Sequence, residues 1–312
     1  MKKIGLAIHG GAGTIRRSTM SRLLEKEYRK GLEKALKSGW NVLEKGGSSI
    51  DAVCESVISM ENNPLFNAGK GSVFTHEGKN EMDAAIMNGV NLENGAVAGV
   101  TGIKNPILLA KCVMEKSEFS LLCGKGAEKF AKKNKLTFEP KEYFYTEKRW
   151  NQLQKAIKTG QAFLDHTNFE DIKKKEKYYG TVGAVALDSN GNLAAATSTG
   201  GMTNKMFGRI GDSPLNGIGN YADNNSLAIS CTGSGEYFIK LTVAYRISAL
   251  MTYKKMSLKK AADYVINKKL IEIGGDGGII AIDKKGNIVL CFNSEGMYRG
   301  YVNEKEKFVG IY

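Results

Sequence analysis

Histidine is scarce in this chain: His9, His76 and His166 are all it has in 312 residues. None stands at metal-ligand spacing, so an imidazole-based metal centre has little to be built from. The five cysteines, Cys54, Cys112, Cys123, Cys231 and Cys291, are scattered and form no C-x-x-C pair. An odd, dispersed set indicates neither a disulfide framework nor a zinc site, and buried small hydrophobes are the expected role. No apolar run approaches the roughly 18 residues of a membrane span. The stretch Ile4 to Ile8 after Met1-Lys2-Lys3 is too short for a signal core and lacks a cleavage site, so a cytoplasmic protein with no membrane partner is expected.

What is there suits a folded protein. With 42% hydrophobic residues the chain can bury a large core, as one large domain or two small ones. The net charge of +13 lies in lysine runs such as Lys132-Lys133-Asn134-Lys135 and Lys173-Lys174-Lys175-Glu176-Lys177. Aromatics are not interleaved with them, which reads as solvated faces rather than a nucleic-acid groove.

Along the chain, residues 3–9 read as a buried strand running into a loop, His9-Gly10-Gly11-Ala12-Gly13. Helical spacing over 21–45 stops at Gly46-Gly47, and Ser49 is placed to cap a second helix through Met60. The segment 60–101 reads as strands with tight turns, and 106–133 and 147–164 as helices. From about Asp165 to Gly180 apolar periodicity is lost, as in an exposed linker. Thr181–Asp188 and Leu193–Thr199 then form a hairpin about Asn190-Gly191. A strand at Leu227–Thr232, a long helix from Glu236 to Tyr253, a helix over 257–272 and a hairpin of Gly278–Asp283 with Asn287–Phe292 follow. Hairpins flanked by helices, without strict strand-helix alternation, favour a layered α+β sandwich over a doubly wound sheet.

Three threonines stand at strand ends: Thr181, Thr199 and Thr232. Threonine is a good strand residue, and at a strand end it is ordinarily structural. Thr181 differs, because a linker-like segment stops at Gly180 and a buried strand starts with it. Cleavage there would leave threonine as an amino terminus, joining a hydroxyl nucleophile to an α-amine base of pKa roughly 8. No histidine is then required. Arg209 offers a planar fork that can bind a carboxylate, and Asp212, three residues on, an anion that can pair with an ammonium. The alternative, a surface ion pair, fits poorly with the glycines around them. His9-Gly10-Gly11-Ala12-Gly13 lacks the endings of a P-loop or a dinucleotide turn.

The runs His9–Gly13, Asn67-Ala68-Gly69-Lys70-Gly71-Ser72, Gly180–Ala186, Thr197-Ser198-Thr199-Gly200-Gly201 and Gly208-Arg209-Ile210-Gly211-Asp212-Ser213-Pro214 together resemble the isoaspartyl peptidase/L-asparaginase family of N-terminal-nucleophile hydrolases. The resemblance implies a four-layer αββα sandwich, a single domain that cuts itself into chains 1–180 and 181–312 and works as a dimer of such units. It implies Thr181 as nucleophile and Thr199 as the partner of its hydroxyl, with Asn67 and the glycine-rich loop nearby. Thr232 and the Gly233 amide would hold the oxyanion, and Arg209, Asp212 and Gly235 the substrate. The implied substrates are β-aspartyl dipeptides and L-asparagine, with no cofactor in the chemistry. A structural sodium ion would lie on the carbonyl oxygens of Met60, Glu61, Asn63, Phe66, Ala68 and Lys70.

Three other readings stay beside this one. A glycosylasparaginase shares the Thr-Ser-Thr and Gly-Arg-x-Gly-Asp runs but usually presents Asp-Thr where this chain has Gly180-Thr181. A threonine aspartase acting on proteins would not keep a clamp for a free amino-acid head. A non-catalytic binding module would remain uncut.

Overall fold

The computed structural model describes residues 3–159 and 178–312, and its helices begin where serine can cap them. Ser21 accepts from the Leu24 amide at the start of α1 (Arg22–Glu44), whose stripe of Tyr28, Leu32, Leu36 and Leu43 is buried. The cap of α2 (Ser49–Glu61) is Ser48, accepting from the Asp51 amide, and not the expected Ser49. Ser49 is buried instead, with its own amide donating to Asp188.

β1 (Gly5–Gly13) runs through the whole glycine segment that the sequence reads as a loop. The strand is held on both sides, and its register shifts between His9 and Gly11, a bulge that moves the inward-facing position from odd to even residues. Glycine is needed at Gly10, where a Cβ would stand 2.5 Å from the Phe66 ring. In the segment 60–101 only β2 (Met82–Asn88) and β3 (Asn94–Val100) are strands, and residues 62–81 form a loop with one short 3-10 turn at Gly69–Gly71. The expected helix over 106–133 is interrupted: α3 (Pro106–Lys116), the short strand β4 (Leu121–Cys123), then α4 (Gly124–Lys133). α5 (Lys141–Phe144) and α6 (Glu147–Thr159) follow, and the expected continuation of α6 to 164 lies outside the described residues.

The linker expected to reach Gly180 does not stay exposed to its end. Tyr178–Tyr179 form β5 on the last two residues of β1, and Gly180 is buried; residues 165–177 lie outside the described residues. β6 (Val182–Leu187) and β7 (Leu193–Thr199) make the expected hairpin, with Gly191 at φ +82°. Then come β8 (Asn220–Ala222) and β9 (Leu227–Gly233). The expected long helix is two, α7 (Gly235–Leu241) and α8 (Val243–Lys254), broken at Thr242 with φ +52°. The break frees the Tyr245 amide to donate to the Gly217 carbonyl and fix the loop before β8. α9 (Leu258–Asp263) continues as a π-helical turn, Tyr264–Leu270. The hairpin of β10 (Gly277–Asp283) and β11 (Ile288–Phe292) stands as expected, whereas β12 (Gly296–Asn303) and β13 (Lys307–Gly310) have no counterpart in the sequence reading.

The chain is therefore α+β. Among the described residues one sheet orders β13-β12-β1-β6-β7-β2-β3-β4, and a second orders β11-β10-β9-β8. Alternate strand residues feed different apolar clusters. Leu6, Ile8, Ala184 and Ala196 of the large sheet pack with α1, α2 and α3. Ile229, Cys231, Ile279 and Ala281 of the small sheet pack with α7, α8 and α9. Ala7, Val185, Leu187 and Ala195 of the large sheet meet Ala228, Ile280 and Ile282 of the small one. Among the described residues no helix is long and apolar enough to cross a membrane.

Candidate active site

The inter-sheet surface changes character toward one end, and the pleat shows where. A strand presents every second residue to the same face. On β7 the residues facing the small sheet are Leu193, Ala195, Thr197 and Thr199; on the chain entering β6, read toward its start, they are Leu187, Val185, Gly183 and Thr181; on β9 they are Ala228, Ser230 and Thr232. Each series passes from apolar to hydroxyl. Val182 pairs with Ser198 in the antiparallel ladder, so Thr181 and Thr199 stand next along it on a shared face. Thr232 approaches from the other sheet. All three threonines are buried, Thr181 at 7% exposure.

His9 ties the two sheets together beside Thr181. Its Nδ1 lies 2.9 Å from the Thr181 carbonyl oxygen and its Nε2 2.7 Å from Ser230 Oγ. Burial holds the ring pKa down at about 3, against the hydrogen bond to Thr181, so the imidazole is neutral. A carbonyl only accepts, so Nδ1 carries the proton and Nε2 accepts from Ser230. Gly183 has no side chain because a Cβ there would collide with both Ser230 Oγ and His9 Nε2. This role for His9 and Ser230 was not read from the sequence. The signal was available: Ser230 precedes Thr232 by one strand period, and His9 shares the face of Ala7.

In the chain joined at Gly180-Thr181 the Thr181 hydroxyl meets Ser213 Oγ at 3.1 Å rather than the expected Thr199. Thr199 Oγ1 accepts instead from the Gly201 amide at 2.9 Å. Ser213 is itself fixed, since its carbonyl accepts from Thr197 Oγ1, which accepts in turn from Asn220 Nδ2. Thr232 Oγ1 is fully buried with no hydrogen-bond partner among the described residues. An unsatisfied buried hydroxyl costs about 1–3 kcal/mol, so one held in place calls for a physical reason. Gly233 is held to glycine by the Phe238 ring and the Asp276 carbonyl.

Asn67 is buried and fully engaged: Nδ2 donates to the Gly201 carbonyl at 2.8 Å, and Oδ1 accepts from the Val73 amide at 2.9 Å. It fastens the 67–73 loop to the turn after Thr199. Glu61, also buried, accepts from Ser198 on the opposite face of β7 at 2.7 Å, from Asn105 and from the Ile107 amide. Burial pushes its carboxyl up to about 7 despite those bonds.

Arg209, Asp212 and Gly235 lie together. A Cβ on Gly235 would stand 2.8 Å from Arg209 Nη2 and 3.0 Å from Asp212 Oδ1. Asp212 is buried, and its Oδ2 has no partner among the described residues. Burial pushes its carboxyl up to about 7; Arg209 opposes, while Glu236 and Asp83 add to the rise. The Arg209 guanidinium pairs with Glu236, a residue the sequence reading passed over, through Nε at 2.8 Å and Nη2 at 3.0 Å.

The 60–70 loop carries the carbonyls that the resemblance implies for a sodium ion, and several are already engaged within the loop. The carbonyls of Asn63, Phe66 and Ala68 each accept one backbone amide, and that of Met60 accepts from both Asn62 and Asn63. Gly69, at φ +52°, and Gly71 are glycines because the carbonyls of Glu61, Pro64 and Phe66 press against them. Buried Arg149 binds the neighbouring Gly71 carbonyl at 2.8 Å. Among the described residues no group of three or more His, Cys, Asp or Glu could hold a metal. Cys54, Cys112 and Cys231 are buried as expected, but Cys123 is exposed and Cys291 only partly covered.

A family model described as Asparaginase matches residues 1–311. The isoaspartyl peptidase of Escherichia coli is 50% identical over 314 residues, covering 100% of this chain and 97% of that protein. An isoaspartyl peptidase/L-asparaginase of Xenopus laevis is 41% identical over 98% of this chain and 94% of its own length. A plant-type L-asparaginase of Pyrococcus furiosus is 42% identical over 99% of this chain and 100% of its own.

Proposed function

The chain belongs to the asparaginase family, and from that membership we propose that it hydrolyses β-aspartyl (isoaspartyl) peptides and the side-chain amide of L-asparagine with Thr181 as nucleophile. The observation that carries this reading is the convergence of hydroxyls from both sheets at one end of their interface, with Thr181 at its head.

Thr181 becomes a terminus by self-cleavage. Its Oγ adds to the Gly180 carbonyl carbon, the C–N bond breaks, and an ester with a free amine results. Water then releases Gly180 as a carboxylate, leaving chains 1–180 and 181–312. Pairing of Tyr178–Tyr179 with β1 and burial of Gly180 support this, because they hold the scissile peptide beside the site. Glycine at 180 removes a side chain that would crowd the attack.

In turnover the Thr181 amine takes the proton of its own hydroxyl as Oγ attacks the substrate side-chain carbonyl. Thr199 supports the hydroxyl. The oxyanion faces Thr232 Oγ1 and the Gly233 amide; the unpartnered hydroxyl of Thr232 supports that role. Ammonia or an amino acid leaves, and water hydrolyses the β-aspartyl ester. Arg209 takes the α-carboxylate, and Asp212, with its open Oδ2, the α-ammonium. Asn67 positions the loop behind Thr199.

The chemistry needs no cofactor. Sodium on the carbonyls of Met60, Glu61, Asn63, Phe66, Ala68 and Lys70 would stiffen the loop that Asn67 and Glu61 fasten to β7. The succession of helix-sheet, sheet-sheet and sheet-helix clusters supports a four-layer αββα sandwich of the N-terminal-nucleophile type. We also place the enzyme in the cytoplasm as a dimer of αβ units, without nucleic-acid or membrane partners; free thiols at all five cysteines fit a reducing compartment.

Intact-mass analysis of the purified protein and of Thr181→Ala, followed by assay on β-aspartyl-leucine, L-asparagine and glycosylasparagine, tests the reading. Two fragments meeting at 180/181 and release from the first two substrates are expected. Persistence of the 34.0 kDa chain, cleavage or turnover by Thr181→Ala, or turnover of glycosylasparagine alone would overturn it.

A further inference from the structure

A guanidinium has two edges that can each hold a carboxylate: the side edge of Nε and one Nη, and the end edge of the two Nη atoms. In Arg209 the side edge is taken by Glu236, at 2.8 and 3.0 Å. The two Nη atoms of the end edge pack closely against two glycines: a Cβ on Gly211 would stand 2.8 Å from Nη1 and 3.2 Å from Nη2, and one on Gly235 2.8 Å from Nη2. The second approach is shared with Asp212 Oδ1, at 3.0 Å from that same Cβ. An anion-binding edge and a carboxylate thus meet at Gly235, where a side chain would displace them.

Arg209 itself stands on irregular backbone between β7 and β8, where Phe207 and Gly208 both have positive φ. Neither helix nor strand sets the direction of its side chain, so its orientation rests on packing and on side-chain partners. Glu236 can supply it because it sits in the first turn of α7, directly after the turn from β9 that carries Thr232 and Gly233.

We propose that Glu236 is the positioning residue for recognition of the substrate α-carboxylate: it grips the side edge of Arg209 and turns the end edge toward Gly211 and Gly235 beside Asp212. This rests on the amino-acid-head reading of Arg209 and Asp212. It makes Glu236 a selector between ligands with and without an α-carboxylate, and ties the head clamp to the strand that bears the oxyanion donors.

The test is calorimetric titration of the cleaved enzyme, as wild type, Glu236→Ala and Glu236→Gln, with L-aspartate and with β-alanine, which is aspartate without its α-carboxylate. KM and kcat for L-asparagine and the melting temperature are measured alongside. The expected result for Glu236→Ala is L-aspartate binding about tenfold weaker and KM raised in proportion. β-Alanine binding, kcat and melting temperature should stay close to wild type. Glu236→Gln, which keeps one acceptor, should fall between, and it serves as the test if the alanine variant does not fold. L-Aspartate binding unchanged or tighter would make Glu236 a competitor or a bystander, and a parallel fall in kcat and melting temperature would make it structural. Either overturns the proposal while leaving the substrate reading intact. A wild-type enzyme that neither binds L-aspartate nor hydrolyses asparagine overturns both.

Discussion

Ser213 Oγ lies 3.1 Å from the Thr181 hydroxyl while Thr181 is still joined to Gly180. At that stage the Thr181 nitrogen is an amide and cannot serve as a base, so the hydroxyl depends on neighbours for its orientation. Ser213, anchored through its carbonyl to Thr197, provides it. Ser213→Ala should slow self-cleavage by up to about tenfold, the worth of one neutral hydrogen bond. A time course of intact mass checks this; an unchanged rate would remove Ser213 from the processing step.

Thr232→Val exchanges a buried, unpartnered hydroxyl for a methyl of the same shape. Loss of an oxyanion donor should lower kcat by about 10²–10³. The fold should gain rather than lose, because the unsatisfied group costs about 1–3 kcal/mol. Steady-state kinetics with a melting curve decide between this and a structural threonine, which would lose both activity and stability.

Asp212 must be ionised to pair with an ammonium, yet burial pushes its carboxyl up to about 7, with Arg209 opposing. Below that value the group is mostly a neutral acid and binds the ammonium poorly. KM for L-asparagine should therefore fall as pH rises from 6 to 8. Asp212→Asn should show a high KM that is flat over the same range. A wild-type KM without pH dependence there would mean that Asp212 is already charged or does not touch the head group.

Gly235→Ala places a methyl against Arg209 and Asp212, 2.8 Å from a guanidinium nitrogen. Arg209 can swing aside, so the fold survives, but the clamp is displaced. KM should rise about tenfold or more at little change in kcat. A KM within twofold of wild type would show that the substrate head lies elsewhere.

Much of the architecture was legible. Apolar periodicity placed α1, α2 and the β6–β7 and β10–β11 hairpins, because each is a local element with its own turn or cap. The sequence failed where tertiary packing overrode local preference. Five glycine-rich residues read as a loop, yet His9 to Gly13 is strand, since β12 runs along one side, β5 pairs with Ala12 and Gly13 on the other, and Phe66 packs where a Gly10 Cβ would be. The helix break at Thr242 serves a hydrogen bond to Gly217, a residue far off in the sequence. Strands β12 and β13 went unread although β12 borders β1 along its whole length.

The site divides in the same way. The sequence itself set Thr181, Thr199 and Thr232 at strand ends and marked Thr181 by the linker before it, while the roles of Thr199, Thr232, Arg209 and Asp212 came from the family resemblance of the motifs around them. Which groups face one another was decided by the apposition of two sheets. His9 joins Ser230 to Thr181, Ser213 rather than Thr199 meets the uncut hydroxyl, and Glu236 reaches Arg209. Strand pleating sends alternate residues to opposite faces, so a one-dimensional pattern can say which residues share a face but not what lies across from it. That second fact belongs to the packed tertiary structure.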